Sequence, residues 1–205
     1  MDDIFTHLMS HVPVPAAAAA NLHAHLTSPD RHYHGLGHVE LLWQRHLHYA
    51  TAPLSTPPWH GLIACAIAFH DAIYNAARRD NEARSAALWR AAGPALPEPA
   101  IAWVEATILA TADHLGATPT PGLDETAWAA RAWMLDLDLT PLGENPETFA
   151  ANTAALRREF HHLSDTQWQQ GRATFLTHFA ATPVLFRTPT LAAAFDAATR
   201  RNLAS

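Results

Sequence analysis

An all-α fold, a single-domain helical bundle, is what this sequence predicts, and three observations predict it. Alanine-rich stretches with favourable helix propensity follow one another through most of the chain. Proline and glycine interrupt them where helices should start and stop. Alternating apolar and polar runs flanked by hairpin turns are absent. With 205 residues, 49% of them hydrophobic and 16% charged, the chain can bury one sizeable core, and a second full domain is not expected.

The elements can be justified in order. Asp2 to His11 forms a short helix, ended by Pro13 and Pro15. Pro15 ahead of an alanine tract suits a helix start, and that helix reaches about Leu26. Arg31 to Gly37 reads as a loop. His38 lies at the start of the next helix, whose apolar face of Val39, Leu42 and Leu47 runs to about Ala50. Pro53, Pro57 and Pro58 make a rigid connection. His60 to Asn75 is apolar almost all round, which marks an interior helix. Asp80 is a candidate N-cap for a helix from Asn81 to about Ala92, broken by Gly93-Pro94. Pro97 to Asp113 is helical, followed by a loop with Gly116, Pro119, Pro121 and Gly122. Asp124 caps a helix to about Leu139, and Asn145-Pro146 opens one to about Leu163. Ser164 and Gln167 have capping-box spacing for a helix to about Ala181. Thr190 to Leu203 is the last helix, expected to pack on the rest.

Composition narrows the function classes. A formal net charge of -6 argues against broad nucleic-acid binding, which needs a basic surface. The single cysteine, Cys65, permits no intramolecular disulfide and fits a reducing compartment, with a small core residue as its reading. The start, Met1 to Phe5, lacks the basic region of a signal peptide. The longest apolar run, Leu62 to Phe69, falls short of the roughly 18 to 20 residues of a membrane span. A cytoplasmic protein with no membrane association is the expectation. The seven tryptophans are expected mainly in the core.

The chemistry concentrates between Ala64 and Tyr74, where an apolar run carries His70-Asp71 into the interior. Ionisable groups are seldom buried without compensation. A divalent metal compensates adjacent His and Asp, because it takes a neutral imidazole and an ionised carboxylate. His38 and an aspartate of Asp136-Leu137-Asp138 complete a set that a helical bundle can bring together. Two nitrogens and two carboxylates suit Zn²⁺, Mn²⁺ or Fe²⁺, with positions left for water and substrate. Asp136 and Asp138 point about 200° apart around a helix, so they do not both reach one ion. Of the 15 histidines, His7, His11, His23, His25, His46, His48, His60, His161, His162 and His178 show no ligand logic.

Longer blocks surround these residues. Arg31-His32-Tyr33-His34 leads to His38; then come Phe69-His70-Asp71-Ala72-Ile73-Tyr74, Asn81-Glu82-Ala83-Arg84-Ser85-Ala86, Asp136-Leu137-Asp138-Leu139 and Leu142-Gly143. This ordered set resembles a small bacterial group of predicted metal-dependent phosphohydrolases in the HD-domain superfamily, over roughly residues 20–185. The resemblance implies a bundle of the HD-domain type with His38, His70, Asp71 and Asp138 as metal ligands, Asp138 being favoured over Asp136. It implies a divalent cofactor (Mn, Zn, Fe, Co or Mg) and a small phosphorylated substrate, a phosphate ester or nucleotide, and it is compatible with a homo-oligomer.

Under that resemblance Asp71 both ligates the ion and orients the attacking water, and Glu82 is the candidate base. The plain alternative for Asn81 and Glu82 is helix N-terminal chemistry, where the dipole favours a carboxylate. Arg31 is a candidate phosphate clamp, because its planar fork matches phosphate oxygens, or else a brace of its loop. Asn81, His34 and His114 are further candidate substrate contacts, with a helix C-terminal cap as the alternative for His114. Tyr33 is expected to brace the site by packing. Lysine is absent from all these blocks, so positive charge must come from metal, Arg or His. The alternative function is a non-hydrolytic, metal-dependent nucleotide-binding or signalling module. A mixed-valent di-iron oxygenase and a structural protein with a hydrogen-bonded His-Asp dyad are further readings.

Overall fold

The computed structural model describes residues 4–119 and 121–205, and helices are its only regular elements among them. They run α1 (Ile4–Met9), α2 (Ala16–Leu26), α3 (Leu36–Tyr49), α4 (Trp59–Phe69), α5 (Asn81–Ala91), α6 (Glu98–Ala110), α7 (Glu125–Leu139), α8 (Pro146–Glu159), α9 (Asp165–Ala181), α10 (Pro189–Leu191) and α11 (Ala197–Leu203). Short 3-10 turns follow α6 (Thr111–Asp113) and α7 (Thr140–Gly143), and a π turn, Ala192–Asp196, joins α10 to α11. No helix among the described residues is long and apolar enough to cross a membrane.

Helix α4 is the axis. Every side chain from Leu62 to Phe69 is buried, and α1, α3, α5, α6 and α7 pack against it. Small residues make this crowding feasible: Gly61, Ala64, Cys65, Ala66 and Ala68 let neighbouring helices approach closely. Burial pushes the Cys65 thiol up to about 12, so it behaves as an inert core residue. Trp43, Trp89, Trp103 and Trp133 are buried in the same cluster of apolar side chains, which runs from Phe5 to Leu203.

Local side-chain caps set the starts of three helices. Asp124 caps α7 by accepting from Thr126 and Ala127, and Asn145 caps α8 through Thr148. Ser164 and Gln167 form the full capping box of α9. Asp80 precedes α5 as expected, but its carboxylate pairs with Arg78 at 2.6 Å and makes no side-chain cap. The expected start at Asp2 lies outside the described residues.

Three ends differ from expectation. Helix α4 stops at Phe69, not Asn75, and distant side chains hold the backbone groups of residues 71–73 that follow it. Arg31 donates to the carbonyls of Asp71 (2.7 Å) and Ala72 (2.9 Å). The Ser85 hydroxyl both accepts from the Ile73 N–H and donates to its carbonyl. Helix α8 ends at Glu159, four residues early, where the Arg157 guanidinium takes the Phe160 and Leu163 carbonyls. Helix α6 gives way at Thr111 to a 3-10 turn, where the Thr111 hydroxyl donates to the Ile108 carbonyl. His114 follows directly.

Helices α8 and α11 pack on the Thr140–Gly143 turn, and α9 packs on α11. Gly143 permits the approach: a Cβ there would lie 3.0 Å from the Phe195 carbonyl oxygen and the Thr199 hydroxyl. Of the 17 residues of α9 only Phe179 is buried, so one long face of that helix is held by little of its own chain.

Candidate metal centre

Four segments converge at one end of α4. His38 projects from the first turn of α3, His70 caps the C-terminus of α4 with Asp71 next to it, Asp138 stands in the last turn of α7, and His114 follows α6. The His70 Nδ1–H donates to the Ile67 carbonyl at 2.9 Å, which turns Nε2 toward the cluster. His38 Nε2 lies 3.3 Å from His70 Nε2, 2.9 Å from Asp138 Oδ1 and 3.8 Å from Asp71 Oδ2. His70 Nε2 lies 3.2 Å from Asp71 Oδ2 and 3.5 Å from Asp138 Oδ1.

These separations fit a cation. Ligand atoms held at about 2.0–2.1 Å from one ion stand roughly 3.0–3.4 Å from each other. His38, His70 and Asp138 form a group whose ligand atoms lie within 4.8 Å of one another, and that group can hold a metal ion. Asp71 Oδ2 adds an independent sign. It is buried and makes no hydrogen bond of acceptable geometry, although it stands beside both imidazoles. A buried carboxylate oxygen left this way is costly unless a cation faces it.

Electrostatics point the same way. Burial by itself would lower the pKa of His70, but the Asp71 and Asp138 carboxylates outweigh it and hold it well above the ordinary histidine value. Burial would raise Asp138, yet His70, His114 and His38 hold it well below the usual carboxylate range. Asp71 is depressed against burial in the same way, chiefly by His70. The cluster therefore selects positive charge at its centre, and a proton and a metal ion compete for the same place.

A cavity of about 460 Å³ opens from this cluster. Asp71, Asp138, His114, His34 and Glu82 all line it, as do Tyr33 and Tyr74. His114 Nε2 bonds Asp138 Oδ2 at 2.7 Å, so it positions that carboxylate instead of capping its helix. Burial first, then the nearby carboxylates, pushes both tyrosine hydroxyls far up, so both remain neutral donors.

The other expected residues are placed elsewhere. Arg31 does not line the cavity: its guanidinium donates to the carbonyls of His34 (2.6 Å), Asp71 and Ala72, which makes it the brace of its loop and of the α4 end. Gly35 allows that loop to close, since a Cβ there would meet the Leu26 carbonyl oxygen at 3.0 Å. Asn81 is buried and exchanges hydrogen bonds with the Asn75 backbone, so it too is a brace, away from the cavity. Asp136 points away from the cluster. Its Oδ2 accepts from the Thr188 N–H (2.6 Å) and hydroxyl (2.7 Å), tying the C-terminal segment to α7.

Glu159 is the functional residue that sequence reasoning missed. Its Oε1 accepts from the backbone N–H groups of His32 (2.8 Å), Tyr33 (2.7 Å) and His34 (2.9 Å). Its Oε2 bonds His34 Nδ1 at 2.7 Å, and the His34 ring stacks on Tyr74 with centroids 3.9 Å apart. Burial would raise the Glu159 pKa, but the bonds from His34 and the backbone lower it. The one signal in the sequence is an acid in the last turn of a helix, where the dipole disfavours it. Glu159→Ala should leave three N–H groups and an imidazole without their acceptor. The expected loss is about 2–4 kcal/mol in urea unfolding, with Glu159→Gln losing less because an amide oxygen still accepts. Equal stability of the two variants and the parent would remove Glu159 from this role.

Comparison with family models, with curated proteins and with solved structures finds no match for this chain.

Proposed function

We propose that this protein is a metal-dependent phosphohydrolase of the HD-domain type, acting on a phosphate ester or nucleotide. One observation carries the reading: the unpartnered, buried Asp71 Oδ2 stands among His38, His70 and Asp138 at the floor of a ligand-sized cavity. The order of the ligand residues along the chain and their flanking blocks, which resemble that superfamily, support the choice of reaction. A divalent ion held by His38, His70, Asp71 and Asp138 would supply Lewis acidity to a phosphoryl oxygen and to the attacking water.

The chain's own residues do the rest. Asp71, whose Oδ2 has no protein donor, both ligates the ion and orients the attacking water. Glu82 lines the cavity and is the carboxylate available to accept the proton of the water. His114 locks Asp138 in place, and Glu159 locks His34 against Tyr74. The neutral hydroxyls of Tyr33 and Tyr74 donate to phosphoryl oxygens.

The test is turnover of a phosphoester and nucleotide panel by protein loaded with Mn²⁺, Co²⁺ or Zn²⁺. His70→Ala and Asp71→Ala should each lose at least about 1,000-fold in turnover. Wild-type rates in either variant would overturn the assignment. The second reading is a non-hydrolytic, metal-dependent nucleotide-binding or signalling module on the same fold. Tight binding without product over long incubation would select it.

A further inference from the structure

The cavity has two unlike ends. Toward the cluster stand Asp71, Asp138, His34 and His114, and Glu82 also lines the cavity. Beyond them the wall turns apolar. Leu156, Phe160 and Leu163 come from the end of α8 and its link to α9, and Trp168, Phe175 and Phe179 from α9. Phe160 meets Trp168 at a centroid distance of 5.5 Å, and Phe175 meets Phe179 at 4.2 Å, so the wall is built and packed in advance. Phe179 is buried at the base of this wall, whereas Phe175 is 41% exposed. This apolar face is continuous with the metal centre, which marks it as the seat of whatever that centre binds.

The supply of positive charge is equally telling. The chain contains no lysine. The arginines nearest the centre are committed to structure: Arg31 to three carbonyls, Arg45 to Glu144 and Thr140, Arg187 to the carbonyls of His114, Leu115 and Ala117. Among the described residues Arg172 is the single guanidinium lining the cavity, where it lies 5.4 Å from the Phe149 ring. A di- or triphosphate needs several cationic donors for its successive oxygens. With one phosphoryl group on an ion held by Asp71 and Asp138, the cavity offers only Arg172 to the further charges of a di- or triphosphate.

Resting on the phosphohydrolase reading, we infer that the substrate is a phosphomonoester with a neutral, largely apolar body. Its phosphate sits on the His–Asp cluster and its body against the α8–α9 wall. Nucleoside polyphosphates find too few cations for their further phosphoryl groups, and small sugar phosphates leave the apolar wall unfilled.

Non-hydrolysable ligands test this by calorimetry on the Mn²⁺-loaded protein. The set is 1-naphthylmethylphosphonate, methylphosphonate and methylenediphosphonate. The naphthyl ligand should bind at least about tenfold more tightly than methylphosphonate, from the apolar area it buries. It should also bind more tightly than the diphosphonate. The naphthyl-to-methyl ratio should fall several-fold in Phe175→Ala and in Leu156→Ala, with thermal unfolding confirming that both variants are folded. A ratio near one in the wild type, no binding of the naphthyl ligand, or preference for the diphosphonate overturns the inference. Selective naphthyl binding without turnover of any ester would sink the hydrolase reading alone. Turnover without naphthyl preference would sink the substrate class alone.

Discussion

Asp138→Ala is expected to weaken metal binding by at least about 100-fold, while Asp136→Ala leaves it unchanged. The two carboxylates are two residues apart on α7, and the structure gives them opposite tasks. Asp138 Oδ1 is 2.9 Å from His38 Nε2 and its Oδ2 is 2.7 Å from His114 Nε2. Removing it strips the centre of a carboxylate and releases His114, whose Nε2 it holds. Asp136 instead holds Thr188, with 0% of its own surface exposed. Its loss should cost about 1–3 kcal/mol of stability through two unsatisfied donors and a loosened C-terminal segment. Metal content by elemental analysis and Mn²⁺ titration, beside thermal unfolding, separates the two effects. The reverse pattern, with Asp136 needed for metal and Asp138 dispensable, would refute the ligand set.

The second large effect is acid lability from His46, a histidine without apparent purpose in the sequence. It is fully buried between Trp43 and Trp133. Its Nδ1 accepts from Trp133 Nε1 at 3.0 Å, so its proton sits on Nε2 and is donated to His60 Nδ1 at 2.9 Å. Burial, and then the proximity of His60 and His11, lowers its pKa to about 3. The unfolded chain takes up that proton near pH 6.5, whereas the folded chain refuses it until about pH 3. Between those values the unfolded state binds more protons, so stability falls as pH falls, by about 1.4 kcal/mol per unit.

His46→Gln keeps a donor and an acceptor but does not titrate. It should be less stable than the parent at pH 7. From pH 6.5 to 4.5, however, it should lose about 2–3 kcal/mol less. Urea unfolding followed by tryptophan fluorescence at several pH values measures both slopes. Parallel slopes would assign the acid sensitivity to other groups, such as His60 and His11, whose pKa values burial also lowers.

Several features were legible in the chain because they depend on neighbours within a few residues. The caps at Asp124, Asn145 and Ser164 were of this kind, as was the start of α5. The His-Asp pair was legible for a different reason: ionisable groups in an apolar run demand compensation wherever they fold. Helical geometry also required that Asp136 and Asp138 diverge. Arg31 shows the limit. Its chemistry suits a phosphate, but three carbonyls claim it, and nothing local to Arg31 announces that two of them belong to residues 71 and 72.

The sequence by itself determined the all-helical class and pointed to the candidate ligand residues around His70-Asp71, since periodicity, capping and desolvation are properties of short segments. Tertiary structure alone decided where α4 ends, which aspartate of α7 faces the cluster, and that Glu159 gathers residues 32 to 34. It also decided that α8 and α9 raise an apolar wall over the site. The physical reason is common to all four. Each depends on a buried polar group finding its partner, or an apolar face finding its cover, across a long separation in the chain, and those pairings exist only once the bundle has closed.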